Sequence, residues 1–334
     1  MLMLALLAAA QAAATPSEVK TFGDWAVACD NLRFCEAASL SASDEIENPP
    51  QIAITREAGP GGALEIEVTP DAEYRGSYRL EIDGKSVSSG TLGGPSVIVR
   101  DAAALQLAEA MLKGQAMTMR AGDGKPLSQA SLKGISATLR YFDAEQGRAG
   151  TVTALVAKGP RPAVSVPAAP PAPRIAAIRP SGTAASVSKA MRAAMEKASD
   201  CDGLYEGTGV PAPDVETYAL GGGKTLALIP CGAGAYNYST VPFILSGGRF
   251  ALAKFDMRPG MSPDGPPMLV NVDWDPKLGL LASFAKGRGI GDCGSSEQYV
   301  WDGTMFRLVE ARAMGECRGS INWLRVWRAE ADSR

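Results

Sequence analysis

The stretch Phe22-Gly-Asp-Trp-Ala-Val-Ala-Cys29-Asp-Asn-Leu-Arg-Phe-Cys35-Glu-Ala37 organises the reading of this chain. Residues 22–29 alternate, residues 34–40 are strand-like, and Asp30-Asn-Leu-Arg33 between them is built from turn formers. The pattern predicts a β-hairpin in which Cys29 and Cys35 face each other and bond. A staple of this kind implies folding in an oxidising compartment. So short a loop gains little from chain entropy, so its expected use is to fix the hairpin's shape and to display Asp30, Asn31 and Arg33.

What precedes the hairpin agrees with export. Residues 1–14, Met1-Leu-Met-Leu-Ala-Leu-Leu-Ala-Ala-Ala-Gln-Ala-Ala-Ala14, form an apolar block ending in small residues suited to signal-peptide cleavage after Ala14, with Ala12 as the next choice. The block lacks a positively charged start. Six cysteines permit many pairings. Local geometry favours Cys29 with Cys35 and Cys293 with Cys317, which flank a second hairpin, and leaves Cys201 with Cys231. There is no Cys-x-x-Cys pair and no histidine anywhere, which argues against zinc and excludes Ser-His-Asp and Cys-His catalysis. A net charge of -3 argues against a nucleic-acid partner, and no apolar run is long enough for a membrane-spanning helix.

The periodicities predict a mainly β fold with a few helices (α+β). Residues 51–58 and 63–71 alternate around Gly59-Pro-Gly-Gly62, and further short strands are expected at 78–82, 96–100, 115–121 and 151–157. Two helices interrupt them. One begins at Asp101 as its cap, with Leu105, Ala108 and Leu112 on the buried face; the other covers residues 131–146, with Leu132, Ile135, Leu139 and Phe142 at helical spacing. Residues 15–158 thus read as a β-sandwich-like domain with two short helices.

Residues 159–180 are rich in Pro and Ala and read as a linker, able to extend at about 3.1 Å per residue. The alternative is a strap laid on the surface, because Ile175 and Ile178 want cover. Residues 181–334 open with a helix at 186–199 and continue as an antiparallel β meander. Its strongest hairpin joins residues 297–301 to 304–310 across Asp302-Gly303, expected as a two-residue type I′ turn.

These residues also carry a resemblance. Phe22-Gly-Asp-Trp25 with Cys29 and Cys35, Ser131-Leu-Lys-Gly134 with Asp143 and Gln146-Gly-Arg148, and Lys286-Gly-Arg-Gly-Ile-Gly-Asp-Cys-Gly294 with Trp301-Asp-Gly303 and Cys317-Arg-Gly319 resemble the bacterial envelope family catalogued as domain of unknown function 1176. The first half is also similar, more weakly, to the invasion-associated locus B proteins. The resemblance implies an exported two-domain protein and supplies no catalytic residues.

No catalytic constellation emerges from the residues themselves. Gly289-Ile-Gly291-Asp-Cys-Gly294 fits a dinucleotide fingerprint in spelling but lies in a strand-rich, cysteine-bearing context, so no cofactor is expected. Lys286, Arg288, Trp301 and Arg318 are the candidate ligand-binding residues, gathered near Cys293 and Cys317 as cationic and aromatic groups suited to a glycan or anionic peptide. The expectation is a periplasmic, non-enzymatic module that binds a cell-wall glycan or an envelope protein, with release from the cell as the alternative location. The rival is a glycan or peptidoglycan hydrolase using Asp273, Asp275 or Asp302.

Overall fold

A computed structural model describes residues 14–42, 51–206, 209, 211–260 and 264–333 of the chain. Apart from Ala14, the expected leader at residues 1–14 lies outside the described residues. The first half contains β1 (Lys20–Phe22), β2 (Trp25–Cys29), β3 (Cys35–Ser39), β4 (Ile52–Arg56), β5 (Leu64–Val68), β6 (Gly76–Ile82), β7 (Lys85–Leu92), β8 (Val97–Arg100), α1 (Asp101–Met111), β9 (Ala116–Ala121), β10 (Pro126–Ser131) and α2 (Ile135–Glu145). The rest supplies β11 (Arg174–Ala177), α3 (Lys189–Ala198), β12 (Glu216–Gly221), β13 (Lys224–Ala233), β14 (Tyr238–Ser246), β15 (Arg249–Leu252), β16 (Leu269–Val270), β17 (Asp273–Asp275), β18 (Leu280–Lys286), β19 (Gly294–Trp301), β20 (Phe306–Met314), β21 (Leu324–Arg328) and β22 (Glu330–Ser333).

The fold is mainly β, built on antiparallel sheets. Alternation along β4 and β5 sends Ile52, Ile54, Leu64, Ile66 and Val68 to one face of the antiparallel sheet β1-β2-β3-β4-β5-β8. That face closes on the four-stranded sheet β10-β9-β6-β7 and on α1 and α2, with Trp25, Leu80, Met117 and Phe142 in the common core. The Trp25 ring nitrogen donates to the Ser131 carbonyl at 3.0 Å, so the indole is buried without an orphaned polar atom. Gly23 and Gly134 lie back to back here. A Cβ on Gly134, whose φ is 99°, would meet the Phe22 carbonyl oxygen at 1.8 Å. The two quoted segments Phe22-Gly-Asp-Trp25 and Ser131-Leu-Lys-Gly134 therefore form one close-packed junction.

In the second half, β12-β13-β14-β15, with β16 on β14, faces the meander β17-β18-β19-β20-β21. The other face of the first sheet, carrying Ala26, Ala28, Ala38 and Leu40, shares a single core with Met314, Leu324 and Val326 from this meander. The stretch 159–180 does not hold the halves apart but follows the strap alternative. Its β11 pairs in parallel with β22, Ile175 is buried, and the Ile178 N–H donates to the Trp301 carbonyl at 2.8 Å.

All three expected bridges, Cys29–Cys35, Cys201–Cys231 and Cys293–Cys317, are present, and Cys29 and Cys35 are directly paired across β2 and β3. The turn between them is not a display surface. The Asp30 carboxylate accepts from the Leu32 and Phe34 N–H groups and lies 2.8 Å from the Arg328 guanidinium, while Asn31 makes two hydrogen bonds with the Arg328 backbone. The hairpin tip is thus spent on latching the C-terminal strand β21.

Four local expectations fail for identifiable reasons. Residues 151–157 form no strand, because the buried Asp143 carboxylate takes the N–H groups of Leu155, Val156 and Ala157 that a ladder would need. Asp101 does not cap α1; Arg100 holds that position and Asp101 has φ 54°. The buried face of α1 is Ala104, Leu107, Ala108 and Met111, which turns Leu105 outward at 42% exposure. The Asp302-Gly303 turn is a four-residue loop, with Trp301 opposite Phe306 and the Asp302 carboxylate accepting from the Thr304 and Met305 N–H groups. The Asp-Gly pair with both φ values positive, as a type I′ turn requires, is Asp83-Gly84.

Candidate functional site

Lys286, Arg288 and Arg318 lie near the Cys293–Cys317 bridge, yet the two arginine charges hold loops. Arg288 grips Asp292 at 2.8 and 2.6 Å, and Asp292 also accepts the Gly319 N–H. The Arg288 hydrogen bond, opposed by burial and aided by Gly319, keeps the Asp292 carboxyl below its usual range. Arg318 binds Asp24 at 2.6 Å and the carbonyls of Gly23 and Ser41, tying the bridge to the first hairpin. Lys286 lies with its side chain near Gly291. Trp301 is elsewhere, at the opposite end of β19, about 23 Å along the strand. It is buried against Phe306, with the Lys224 ammonium 5.4 Å from its ring centre.

The candidate carboxylates do not converge either. Asp275 caps the following turn by accepting from Lys277 and Leu278, Asp273 is exposed, and Trp274 between them is buried. Asp302 pairs with Arg307 at 2.7 Å; burial pushes its pKa upward, but the turn N–H groups and Arg307 outweigh that and hold it low. A carboxylate so held is a poor proton donor at neutral pH. Among the described residues no group of three or more Cys, Asp or Glu side chains is placed to hold a metal.

The feature that sequence reading missed is a cleft of about 470 Å³ where the outer face of β3, β4 and β5 meets the segment before β21. Its apolar side is an aromatic stack: Phe284 and Trp323 lie at 4.7 Å between ring centres and 14° between planes, with Phe284 37% exposed and Ile321 64% exposed beside them. Gly294 makes room for this arrangement, since a Cβ there would meet the Trp323 ring at 2.9 Å. Arg312 fixes the Trp323 backbone by donating to its carbonyl at 3.0 Å.

The polar side carries Glu36, Thr55, Glu67, Asn322 and Arg312. Arg312 lies 3.7 Å from Glu36 and 3.0 Å from Glu310, and Arg325 lies 3.7 Å from Glu36, giving an alternating network of two acids and two bases. Burial raises the Glu36 pKa; the Arg325 N–H and both guanidinium groups oppose the rise. Strand parity was the available signal: Phe284 faces opposite to the buried Leu281, Ser283 and Ala285. A larger groove of about 1070 Å³ near Tyr74 and Lys125 reaches Ser41 and Ala42, next to residues 43–50 outside the described set; it sets a single aromatic ring, Tyr74, among Asp71, Glu73, Asp123 and Lys125 and holds no stacked aromatic pair among the described residues.

Comparison with known proteins finds similar chains. A relative from Escherichia coli (strain K12), described as uncharacterized protein YpfG, is 31% identical over 346 aligned residues, spanning 97% of this chain and 96% of its own length. The crystal structure of invasion associated protein b from Bartonella henselae is faintly similar, at 20% identity and a TM-score of 0.31, covering 39% of this chain and 99% of that one. The family described as protein of unknown function (DUF1176) matches residues 19–330, and the chain belongs to that family.

Proposed function

We propose that this protein is a non-enzymatic binding module of the bacterial periplasm that holds a cell-wall glycan in the cleft between its two halves. Three disulfides make it an extracytoplasmic protein. The observation that carries the reading is the part-exposed Phe284–Trp323 stack opposite hydrogen-bonding groups in a cleft. A sugar ring offers an apolar face to such a stack and hydroxyls to Glu36, Thr55 and Asn322, the combination of apolar wall and few polar groups typical of ligand sites.

Titration of the mature protein with soluble peptidoglycan fragments, followed by calorimetry, tests this. Trp323→Ala is expected to weaken binding about 30-fold, the loss of about 2 kcal/mol typical of an aromatic anchor. Equal binding by wild type and variant, or none by the wild type, refutes the site. Release of muropeptides by the wild type, lost in Asp273→Asn, refutes the non-enzymatic reading in favour of a hydrolase.

A further inference from the structure

The interior of the first half contains an arginine with too few partners. Arg56, at the end of β4, is 4% exposed. Its Nη2 donates to the Thr153 carbonyl at 2.8 Å, but Nε and Nη1 are buried without a hydrogen-bond partner among the described residues. The neighbouring Arg148 is fully buried and well satisfied, donating to Gln146, Thr153, Glu57 and Gly59. Asp143 is the carboxylate that acts on both guanidinium groups, and its oxygens are taken by three backbone N–H groups. Burial, then repulsion from Arg148, pushes the Arg56 pKa down to about 10 against the pull of Asp143. Two cations share one anion. Charged donors left unpaired in the interior are strongly destabilising unless something else supplies acceptors.

Arg56 lines a cavity of about 280 Å³. Leu105, Ala108, Val152 and Leu155 give it apolar walls, and the Lys158–Glu109 ion pair stands at its mouth. Leu105 and Val152 are 42% and 59% exposed, although their positions in the sequence pattern had read as buried helix face and strand. Both departures from expectation meet at this one place. Local rules are commonly broken where a ligand supplies the missing contact.

We infer that this cavity binds a small organic monocarboxylate, its charge against the Arg56 guanidinium and its hydrocarbon part against Leu105 and Val152. One uncompensated cation matches one negative charge, and apolar walls favour a carboxylate with a short hydrocarbon body over inorganic phosphate. The site is separate from the glycan cleft, and neither reading depends on the other.

Calorimetric titration of the intact, oxidised protein with acetate, butanoate, benzoate and inorganic phosphate tests the inference. Affinity is expected to rise from acetate to butanoate and benzoate, with phosphate at least tenfold weaker than benzoate. Arg56→Met is expected to abolish benzoate binding. Because losing Arg56 can itself disturb folding, Leu105→Asp at the exposed lip is the second variant. Leu105 is 42% exposed and outside the buried face of α1, and its replacement is expected to weaken benzoate at least tenfold by placing a negative charge at the entrance, with an unchanged circular dichroism spectrum. No saturable carboxylate binding by the wild type, tighter binding of phosphate than of butanoate, or equal benzoate affinity in wild type and Leu105→Asp overturns the inference.

Discussion

Asp143→Asn is the sharpest test of how the first half is held together. Asp143 is fully buried; Oδ1 accepts from the Leu155 N–H at 2.8 Å and Oδ2 from the Val156 and Ala157 N–H groups at 2.8 and 3.0 Å. Asparagine has nearly the same shape but only one acceptor oxygen. Even in the better orientation its amide N–H₂ replaces Oδ1 and points at the Leu155 N–H, losing one charge-assisted bond worth about 1.5–3 kcal/mol. The substitution also removes the carboxylate that acts on Arg56 and Arg148, leaving two buried cations without it. Breaking a buried charge arrangement in this way costs about 3–5 kcal/mol. That is a large share of the 5–15 kcal/mol by which folded domains are usually stable. With a urea m-value of about 3 kcal/mol/M, the midpoint is expected to fall by about 1–1.7 M. A loss below about 1 kcal/mol would refute the reasoning. A double-mutant cycle of Asp143→Asn with Arg148→Met gives the charge part separately, and a coupling indistinguishable from zero would remove that part of the argument.

Two further predictions concern the second half and the hairpin. Removing Cys201–Cys231 by double Ser substitution should cost about 3.6 kcal/mol on loop entropy, against about 2.2 kcal/mol for Cys29–Cys35, because the sequence separations are 30 and 6; the opposite order in urea unfolding would show that native packing and not chain entropy dominates. Glu297 is 3% exposed, its Oε2 has no hydrogen-bond partner among the described residues, and burial raises its pKa against hydrogen bonds from Ser295 and Gly260. A carboxyl with a raised folded pKa binds its proton more tightly in the folded state, so its contribution is present at low pH and is lost as pH rises through the folded pKa. Glu297→Gln is therefore expected to match the wild type near pH 4 and to exceed it in urea midpoint at pH 7.5; an equal or lower midpoint at pH 7.5 contradicts the assignment.

Much of the architecture was legible because it is local. Cys29 and Cys35 could be paired from the four turn residues Asp30–Arg33 between two strand-like runs, and the helix at Ile135–Glu145 from the spacing of Leu132, Ile135, Leu139 and Phe142. The cleft was harder. Lys286, Arg288 and Arg318 lie near the Cys293–Cys317 bridge, but a charge in a sequence does not show whether a partner from another strand neutralises it. Arg318 meets Asp24 across 294 positions, and Arg328 meets Asp30 across 298. Trp301 read as a ligand-binding residue because nothing local marks which face of β19 is inside; Trp323, just before β21, was passed over because its stacking partner Phe284 lies on a distant strand.

By itself the sequence determined an extracytoplasmic setting, the three bridges, the β-rich class and the exclusion of histidine chemistry, since these follow from residue identity, short-range periodicity and turn propensity. Only the tertiary structure decided how the halves join. Alternation says that one face of a strand is apolar, not which distant sheet will cover it, so the small residues Ala26, Ala28 and Ala38 gave no sign that the second half's β21 would pack on them. The same limit applies to the sites: the aromatic cleft and the underpaired Arg56 depend on which groups long-range packing leaves without a partner, and that is a property of the assembled interior.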